Sequence, residues 1–430
     1  MLRMFADLPA FRRDPLALLA ARGRCGRPFP RLRLGPGAVH LATEPALIRD
    51  LLRADEAAVD KGRLIFKLRQ VIGVNSLTLS GAAHRDRRAV LHRTLAAGLG
   101  ADTVPRVGAL VRSWIAALAG EKAVDAHGAT SHLSLRVICA ILFGPDALSR
   151  GDEALLVEAV QSIEDDLAAD IFRALPRTPW ARARQRGRLA AARQVMSLVV
   201  ERTRRRATAV SLLHALEGLG LAADALRDEI LLILLAGHHT TGTAAAWMLF
   251  HIAADPALAA DLAAEAERMS GADGEVTGLS VRSAALSRAL ALEVLRLYPS
   301  TYWMSREIKI PQVIAGCRFR RGASIVISQW HLHRDPRFWD EPERLKLDRN
   351  WLANPAYMPF GFGGRACVGM NVALIELQLI ALEFALVFES RVLSAQPPAA
   401  PKPSVTLVPP PLELGLAPRW GVAGRGSRAA

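Results

Sequence analysis

One cysteine lies in a glycine-rich stretch, PFGFGGRACVGM, which covers residues 359–370. Four glycines, two phenylalanines and an arginine surround Cys367 in this stretch. A cysteine that only packs a core does not need residues without side chains on both sides of it. Because glycine lets another group come close to the backbone, the pattern predicts a bulky group beside the thiol.

The segment after this cysteine, VGMNVALIELQLIALEFAL, predicts a strong helix that begins at Cys367. The dipole and the free amides of a helix N-terminus stabilise a thiolate, which is the form that binds metal. Cys25, Cys139 and Cys317 have no metal-site spacing, and they are too few and scattered for a disulfide framework. We therefore expect a reducing cytoplasm and take Cys367 as the candidate metal ligand.

A second candidate region is a polar block inside an otherwise apolar helix, DEILLILLAGHHTTGTAAAWMLFHIAADP, over residues 228–256. The apolar ends predict a buried helix, so the block at residues 237–242 must face something inside the protein. Its glycines and threonines favour a local widening, in which the missing Cβ of Gly237 admits a flat ligand. Small residues equally suit a crossing point with another helix, and the residues alone leave both interpretations open.

The cysteine motif F-x-x-G-x-R-x-C-x-G is formed by Phe360, Gly363, Arg365, Cys367 and Gly369. Here the sequence resembles the cytochrome P450 family, whose haem iron takes a cysteine thiolate in such a setting. The resemblance extends from about Asp14 to about Arg419. It implies haem b between the Cys367 helix and the central helix, in one domain over residues 1–420. The implied fold is mainly α-helical with a small β-rich region.

Further motifs match the family by position. Glu293 and Arg296, in ALEVLRLYP, match its Glu-x-x-Arg pair, and Arg344, in FWDEPERL, would complete a buried Glu-Arg-Arg network that supports folding. Alone, a Glu and an Arg three apart would mean only a surface ion pair. The resemblance also implies propionate-binding residues, which are His84, Arg88, Arg306 and Arg365. Further cofactor contacts are implied at Phe360, Gly237, Gly363 and Gly369.

The polar block departs from the family at one position. The family usually carries an Asp or Glu before the threonine that hydrogen-bonds oxygen, whereas AGHHTT places His239 before Thr240. A histidine, with an ordinary pKa of about 6.5, can still pass protons at neutral pH. Three alternatives stay open. His239 is a substitute proton relay, water carries the protons, or the enzyme is driven by peroxide or does unusual chemistry.

The implied function is a monooxygenase that inserts one atom of O2 into a hydrophobic substrate of terpenoid, fatty-acid or polyketide type. Electrons from NAD(P)H would arrive through a separate ferredoxin with its reductase, or a flavodoxin, docked on the Cys367 side. Implied substrate contacts are Ile233, Ala236, Gly237, Thr301, Tyr302, Trp303, Met304 and the turn at residues 405–408. A haem protein that senses gas or redox state is the alternative, but it would not need Thr240 in this helix.

The formal net charge is +14, from 55 Lys and Arg against 41 Asp and Glu. This balance suits an acidic protein partner, whereas no aromatic-interleaved basic motif or zinc-finger spacing points to nucleic acid. His331 and His333 could form a metal pair, but no third ligand lies nearby in the sequence. Charged residues interrupt the apolar N-terminus, so we expect a cytoplasmic monomer without signal peptide or membrane anchor.

The remaining elements are expected to position these residues. LRLGPGAVHLATEPALIRDLL predicts two short strands and then a helix capped at Thr43, with Pro45 in its first turn. Helices are predicted near residues 107–120, 131–143, 153–170 and 188–217. Residues 174–188 predict a mobile connection, residues 270–280 a surface loop, and residues 421–430 a disordered tail.

Overall fold

The computed structural model describes residues 2–62, 65, 68–69, 72–98, 103–144, 147–171, 178–207, 211–271, 276, 281–395 and 400–419. Most of these residues are helical. The α-helices are α1 (Leu8–Arg13), α2 (Pro15–Gly23), α3 (Pro45–Arg53), α4 (Gly81–Gly98), α5 (Thr103–Leu118), α6 (Ala126–Phe143), α7 (Arg150–Ile171), α8 (Pro179–Arg204), α9 (Leu212–Glu217), α10 (Ala223–Ala254), α11 (Pro256–Met269), α12 (Ala285–Leu297), α13 (Gln329–Leu332) and α14 (Met370–Val387).

The strands form small sheets at one side of the helices. They are β1 (Arg31–Leu32), β2 (Val39–Ala42), β3 (Val59–Lys61), β4 (Ala123–Asp125), β5 (Met304–Ile308), β6 (Gln312–Ile314), β7 (Cys317–Phe319), β8 (Ser324–Ile327), β9 (Phe388–Val392), β10 (Lys402–Pro403), β11 (Leu407–Val408) and β12 (Glu413–Pro418). The largest sheet has the order β1-β2-β8-β5-β3, in which β2 and β8 are parallel. The predicted fold class, mainly α with a small β-rich region, is confirmed.

Helix α10 is the centre of the molecule. Its apolar residues share one buried core with residues of α5, α6, α11, α12 and α14. The helix begins at Ala223, five residues before the predicted start, and continues unbroken through the polar block. Because it is apolar nearly all round, it can be covered by neighbours on most of its faces.

The glycines of the polar block mark a helix crossing. A Cβ at Gly242 would lie 2.6 Å from Cα of Ser131, and a Cβ at Gly237 would lie 2.6 Å from Cγ1 of Ile138, both on α6. Thr130 Oγ1 also donates a hydrogen bond to the Gly242 carbonyl, at 2.8 Å. The crossing interpretation is therefore confirmed. Ile138 covers the position of the missing Cβ at Gly237, so the lack of a side chain there serves the packing on α6, and the cofactor contact at Gly237 stays a prediction.

Two local predictions need correction. Helix α3 has Glu44 as its N-cap, while the Thr43 hydroxyl donates to the Arg27 carbonyl at 2.9 Å. Helix α8 begins at Pro179 after a side-chain cap by Thr178, so residues 179–188 are helical rather than a connection. The helix predicted over residues 188–217 is divided between α8 and α9. Residues 174–177, most of 270–280 and the tail at 421–430 lie outside the described residues.

Two helices, α6 and α14, are long and apolar enough to cross a membrane. However, 56% of the apolar window of α6 and 72% of that of α14 are buried inside the protein. Both helices contribute to the core around α10. Their apolar character is therefore the one expected of buried core helices.

The Glu293 carboxylate, on α12, is fully buried and receives five hydrogen bonds. Arg296 donates two of them, at 2.7 and 2.8 Å. Arg349 Nε, Trp351 Nε1 and the Lys346 amide donate the others, at 3.0, 2.7 and 3.0 Å. Burial alone would raise the pKa of Glu293, but the hydrogen bonds from Arg296 and Trp351 hold it below its ordinary value. The carboxylate stays charged and ties α12 to residues 346–351.

The second arginine of this network is Arg349, not the predicted Arg344. The Arg344 side chain is 73% exposed and pairs with Glu341. Only its carbonyl reaches the network, where it accepts a hydrogen bond from Arg296 Nη2 at 3.0 Å. Arg349 is 7% exposed in its side chain and lies 3.0 Å from Glu293. The prediction fails because the irregular chain after residue 335 decides which of two nearby arginines turns inward.

We expect Arg349→Ala to destabilise the protein by about 3–5 kcal/mol, because it removes one partner of a buried charge. The matched variant Arg344→Ala should change stability by no more than about 0.5 kcal/mol, as for most exposed side chains. Urea unfolding of the two variants beside the wild type measures both values. Equal destabilisation by the two substitutions would contradict the assignment of Arg349.

Candidate functional site

The loop that carries Cys367 is shaped by glycine. Gly361 and Gly363 both have φ near 71°, in the left-handed region that favours glycine. A Cβ at Gly363 would also lie 2.9 Å from the Leu52 carbonyl oxygen, so helix α3 packs directly on this residue. The Cys367 amide donates to the Phe360 carbonyl at 2.8 Å and closes the loop. The contact that constrains Gly363 is therefore with α3.

The sequence predicts that the following helix begins at Cys367, but it begins later. Helix α14 begins at Met370, with Gly369 as its N-cap, and the Gly369 amide donates to the Cys367 sulfur. The sulfur thus accepts a hydrogen bond from a free amide at the helix N-terminus, although Cys367 lies three residues before the first helical residue. A Cβ at Gly369 would lie 3.9 Å from this sulfur, which is ordinary contact distance.

The Cys367 side chain is accessible, yet the protein encloses it. It is exposed by its surface area, whereas desolvation by burial raises the pKa of its thiol, opposed by the Gly369 amide and by Arg88. Both observations hold if the sulfur lines an internal cleft rather than the outer surface. A thiol in such a place can ligate a metal that is shielded from bulk water.

Five basic side chains come together beside the cysteine loop. Four of them were predicted to bind propionates, and the fifth, Lys61, was not. Lys61 ends strand β3 directly opposite Arg306 of β5. Like charges in such a pair are destabilising. The full set is Lys61, His84, Arg88, Arg306 and Arg365.

These groups suppress one another's charge. Burial, and then Arg365 and Arg306, lowers the pKa of Lys61 to about 7. Burial and Arg365 lower the pKa of Arg306 to about 10 and that of His84 to about 4. Burial also lowers the pKa of Arg88 and of Arg365. The cluster is therefore electrostatically unfavourable without additional negative charge.

Two carboxylates face this cluster among the described residues. Glu56 accepts a hydrogen bond from Arg365 Nε at 2.6 Å, and both Glu56 and Asp60 raise the pKa of Lys61. With His84 neutral, the remaining basic groups outnumber the two carboxylates, so the cluster has an excess of positive charge. A ligand that carries carboxylates would balance the cluster, because buried charges need partners.

The middle of α10 has one open face. Ala236 is exposed, and Ile233, Gly237 and Thr240 are half-buried, although Leu234 and Thr241 beside them are buried. Positions 233, 236, 237 and 240 share one side of a helix. The Thr240 hydroxyl donates to the Ala236 carbonyl at 2.6 Å, as expected for threonine within a helix. An open face in the centre of a buried helix indicates internal space along it.

The segment after α12 is attached to this face. Ser300 Oγ donates to the Thr240 carbonyl at 2.7 Å, and the Leu407 amide donates to the Ser300 carbonyl at 3.1 Å. Thr301 follows directly and is exposed. These bonds bring the predicted substrate contacts at Thr301 and at residues 405–408 near the open face of α10.

One predicted substrate contact, Tyr302, is a core residue. It is 1% exposed, and its hydroxyl donates to the Ser404 carbonyl at 3.0 Å. Trp303 is half-buried and packs against the cluster of Leu19, Leu32 and Val326, and its contact with substrate stays a prediction. Met304 Cε lies 3.5 Å from a Cβ built at Gly361, so this side chain borders the cysteine loop.

His239 lies among other imidazoles, on the side of α10 that faces α6. Its ring centroid is 4.3 Å from that of His238 and 6.2 Å from that of His127, on α6. Burial, and then His239, His127 and His132, lowers the pKa of His238 to about 3, so His238 is neutral at physiological pH. His239 is adjacent to Thr240 and three residues after exposed Ala236, at the edge of the open face.

His333 is a structural residue rather than half of a metal pair. Its Nδ1 donates to the Arg296 carbonyl at 3.1 Å, and its Nε2 accepts from the Met358 amide at 3.1 Å. Both ring nitrogens are therefore engaged with backbone. Among the described residues, no group of three or more His, Cys, Asp or Glu side chains could hold a metal ion.

Comparison with known proteins decides the family. The family model described as cytochrome P450 matches residues 8–416. The chain belongs to the cytochrome P450 family. It is 29% identical over 352 residues to putative cytochrome P450 132 of Mycobacterium bovis, with 73% of this chain and 74% of that protein covered. It is 28% identical over 401 residues to cyclooctat-9-en-7-ol 5-monooxygenase of Streptomyces melanosporofaciens, with 87% and 84% covered.

This P450 is a haem-dependent monooxygenase that uses O2. Haem with a cysteine thiolate ligand activates O2 so that one atom enters the substrate and the other leaves as water. The residues fit the group by two observations. The Cys367 thiol is accessible within the protein, and the basic groups beside it outnumber the carboxylates, as a site for the haem carboxylates requires.

Sequence reasoning missed two residues of this P450. Lys61 follows an ordinary strand, and nothing in its neighbourhood predicts that it lies opposite Arg306. The position of Lys61 follows only from the pairing of β3 with β5, which joins Lys61 to a residue 245 positions later in the sequence. Arg349 was missed because Arg344 has the expected spacing from the rest of the motif. Both depend on long-range contacts.

We expect Lys61→Met to weaken haem binding by about tenfold at pH 6, where Lys61 is charged both in the cofactor-free and in the haem-bound protein. A haem carboxylate would raise the Lys61 pKa above its value of about 7 in the cofactor-free protein. The contribution is therefore complete below pH 7 and is lost as the pH rises through the raised pKa. Haem transfer to an apoglobin, measured from pH 6 to 10, should show the two proteins converging at high pH. A constant difference at every pH would contradict the role of Lys61 charge.

Proposed function

We propose that this P450 holds haem b through Cys367 and oxidises a hydrophobic substrate, with electrons from NAD(P)H delivered by a separate ferredoxin or flavodoxin. One observation carries the proposal. An accessible but enclosed thiol lies beside a basic cluster whose positive groups outnumber the carboxylates that face it. Arg88, Arg306, Arg365, Lys61 and His84 would hold the two propionates. The domain would cover residues 1–420 of a cytoplasmic monomer.

The chemistry of the lining supports an apolar substrate. Ile233 and Ala236 on α10 border the open face, with Thr301 and Val405 on the segments attached to it. None of these four side chains is charged, and most small-molecule sites combine apolar walls with few polar groups. The similarity to a monooxygenase named for the alcohol cyclooctat-9-en-7-ol supports a terpenoid-like substrate over a charged one.

Thr240 and His239 would transfer protons at the open face of α10. The Thr240 hydroxyl already donates to the Ala236 carbonyl on the open face, so it can receive a second hydrogen bond from that side. His239 stands where the family usually has an acid, and imidazole can both accept and give a proton at neutral pH. His239 would thus supply protons to Thr240 and to water in the open space. Peroxide-driven chemistry remains the second candidate, favoured by the missing acid alone.

The electron donor would dock on the face that carries the cysteine loop. Gly363 and Gly364 of this loop are exposed, and the Arg49 and Arg53 guanidinium groups each lie 4.8 Å from the Phe362 ring centroid. Basic groups beside the loop that carries Cys367 suit an acidic electron donor and would steer its association with this face.

Carbon monoxide added to the dithionite-reduced protein should give a Soret band at about 450 nm, as thiolate-ligated haem does. Cys367→Ala should abolish the band, while Cys25→Ala, which changes an exposed cysteine, should keep it. A difference spectrum of fresh protein measures both. A band at about 420 nm in intact wild-type protein would overturn thiolate ligation and with it the proposed function.

Arg53→Glu should raise the ferredoxin concentration needed for half-maximal reduction several-fold, because it reverses charge beside the cysteine loop. The rate at which the carbon monoxide band forms, with NADPH, a plant-type ferredoxin and its reductase, measures the effect without a known substrate. Arg186→Glu is the matched control, since Arg186 is exposed on α8. If only the Arg186 variant were impaired, docking would have to lie on another face.

A further inference from the structure

The polar contacts between α6 and α10 lead from His239 towards the outer surface. His127 lies in the first turn of α6 and is half-buried. On its inner side, its ring centroid is 6.2 Å from that of His239, and its Nε2 is hydrogen-bonded to Thr243 Oγ1 at 3.4 Å. His239 and Thr243 are four apart and share one side of α10. His127 is thus held against the residue that stands in the place of the usual acid.

The outer side of His127 reaches solvent. Asp125, the N-cap of α6, is exposed, and its carboxylate accepts hydrogen bonds from the His127 and Gly128 amides at 3.2 and 3.1 Å. Burial and His239 lower the pKa of His127, whereas Asp125 raises it. The His127 imidazole is therefore close enough to half-buried His239 and to exposed Asp125 for each to shift its pKa.

We propose that His127 is the outer member of a two-histidine proton relay, passing protons from solvent beside Asp125 to His239. For each proton delivered, His127 gives one proton to His239, directly or through one water, and takes one from solvent, and two such deliveries supply the two protons of one turnover. His239 gives one proton towards Thr240 and takes one from His127, so both imidazoles return to their starting state. This inference rests on the proposed role of His239 and adds the residue that reloads it.

The neighbouring groups fit this direction. His238, the other imidazole in contact with His239, has a pKa of about 3, so at neutral pH it is uncharged and holds no extra proton to pass on. His132 is on α6 as well, but it pairs with Glu153 at 3.1 Å and is 53% exposed in its side chain. Thr243 anchors the His127 ring and makes His127 a positioned partner of His239 rather than a freely moving surface group.

The first test is nuclear magnetic resonance of the histidines in the ferrous carbon monoxide complex. His239→Gln should raise the pKa of His127, because it removes a neighbour that lowers this pKa. His132→Gln, on the same helix, should leave it unchanged. No shift of the His127 pKa in the His239 variant would overturn the inference, whatever the activity.

The second test measures how reducing equivalents are divided between hydrogen peroxide and water. NADPH, a plant-type ferredoxin and its reductase drive the enzyme without added substrate. Reduction of one O2 to water takes four electrons and four protons, whereas its release as hydrogen peroxide takes two of each. His127→Gln and His239→Gln should each raise the peroxide fraction by about twofold or more, and the double variant no further, because both act on one path. His132→Gln should match the wild type.

The outcomes separate the relay from the haem-thiolate assignment. All variants should retain the carbon monoxide band, which shows that cysteine ligation and folding are intact. Loss of that band in the wild type would overturn the proposed function. A peroxide fraction in His127→Gln equal to that in His132→Gln, with His239→Gln raised, would overturn the role of His127 alone. Thr243→Val should give a smaller increase than His127→Gln, because it frees the ring without removing it.

Discussion

The buried charge of Glu293 organises the part of the chain that delivers Cys367. Arg296, which neutralises it, also donates to the carbonyls of His333, Pro342 and Arg344 at 2.7, 2.6 and 3.0 Å. His333 in turn accepts from the Met358 amide, at the start of the cysteine loop. A long segment without regular structure is thus held by one carboxylate and the arginines that face it. Because an unpaired charge in this place would be costly, the segment has few alternative paths.

A second electrostatic constraint lies on the other side of the loop, with the opposite sign. Around Glu293 the protein satisfies a buried anion with its own hydrogen-bond donors. At Lys61 and Arg306, by contrast, it brings like charges together with too few carboxylates beside them. The first arrangement is complete in the polypeptide, and the second would be completed by the carboxylates of the proposed haem. Cofactor binding would therefore contribute to the stability of β3, β5 and the cysteine loop, since it stabilises only the folded state.

The sequence predicts best what depends on local pattern. The long apolar helix, the cysteine motif and the Glu293–Arg296 pair are all recognisable within a few turns of chain, and all lie where they are expected. Arg349, Lys61 and the glycine at position 237 depend on which distant segment arrives beside them. Ile138 explains Gly237, and β5 explains Lys61, but neither contact has a signal in the sequence around the residue. The burial of Tyr302 likewise depends on a distant partner, because its hydroxyl donates to the Ser404 carbonyl.

The histidine in place of an acid is easier to understand from the packing of α6 on α10. A carboxylate at position 239 would be charged at neutral pH and would need a cationic partner, since burial of an unpaired charge is strongly unfavourable. The nearest groups are imidazoles whose own pKa values are lowered by burial, and they are poor cations. An imidazole, unlike a carboxylate, needs no permanent counter-charge in its neutral form. The substitution at position 239 and the presence of His127 are thus consistent with the proposed relay, in which a proton would pass through without a fixed charge being buried.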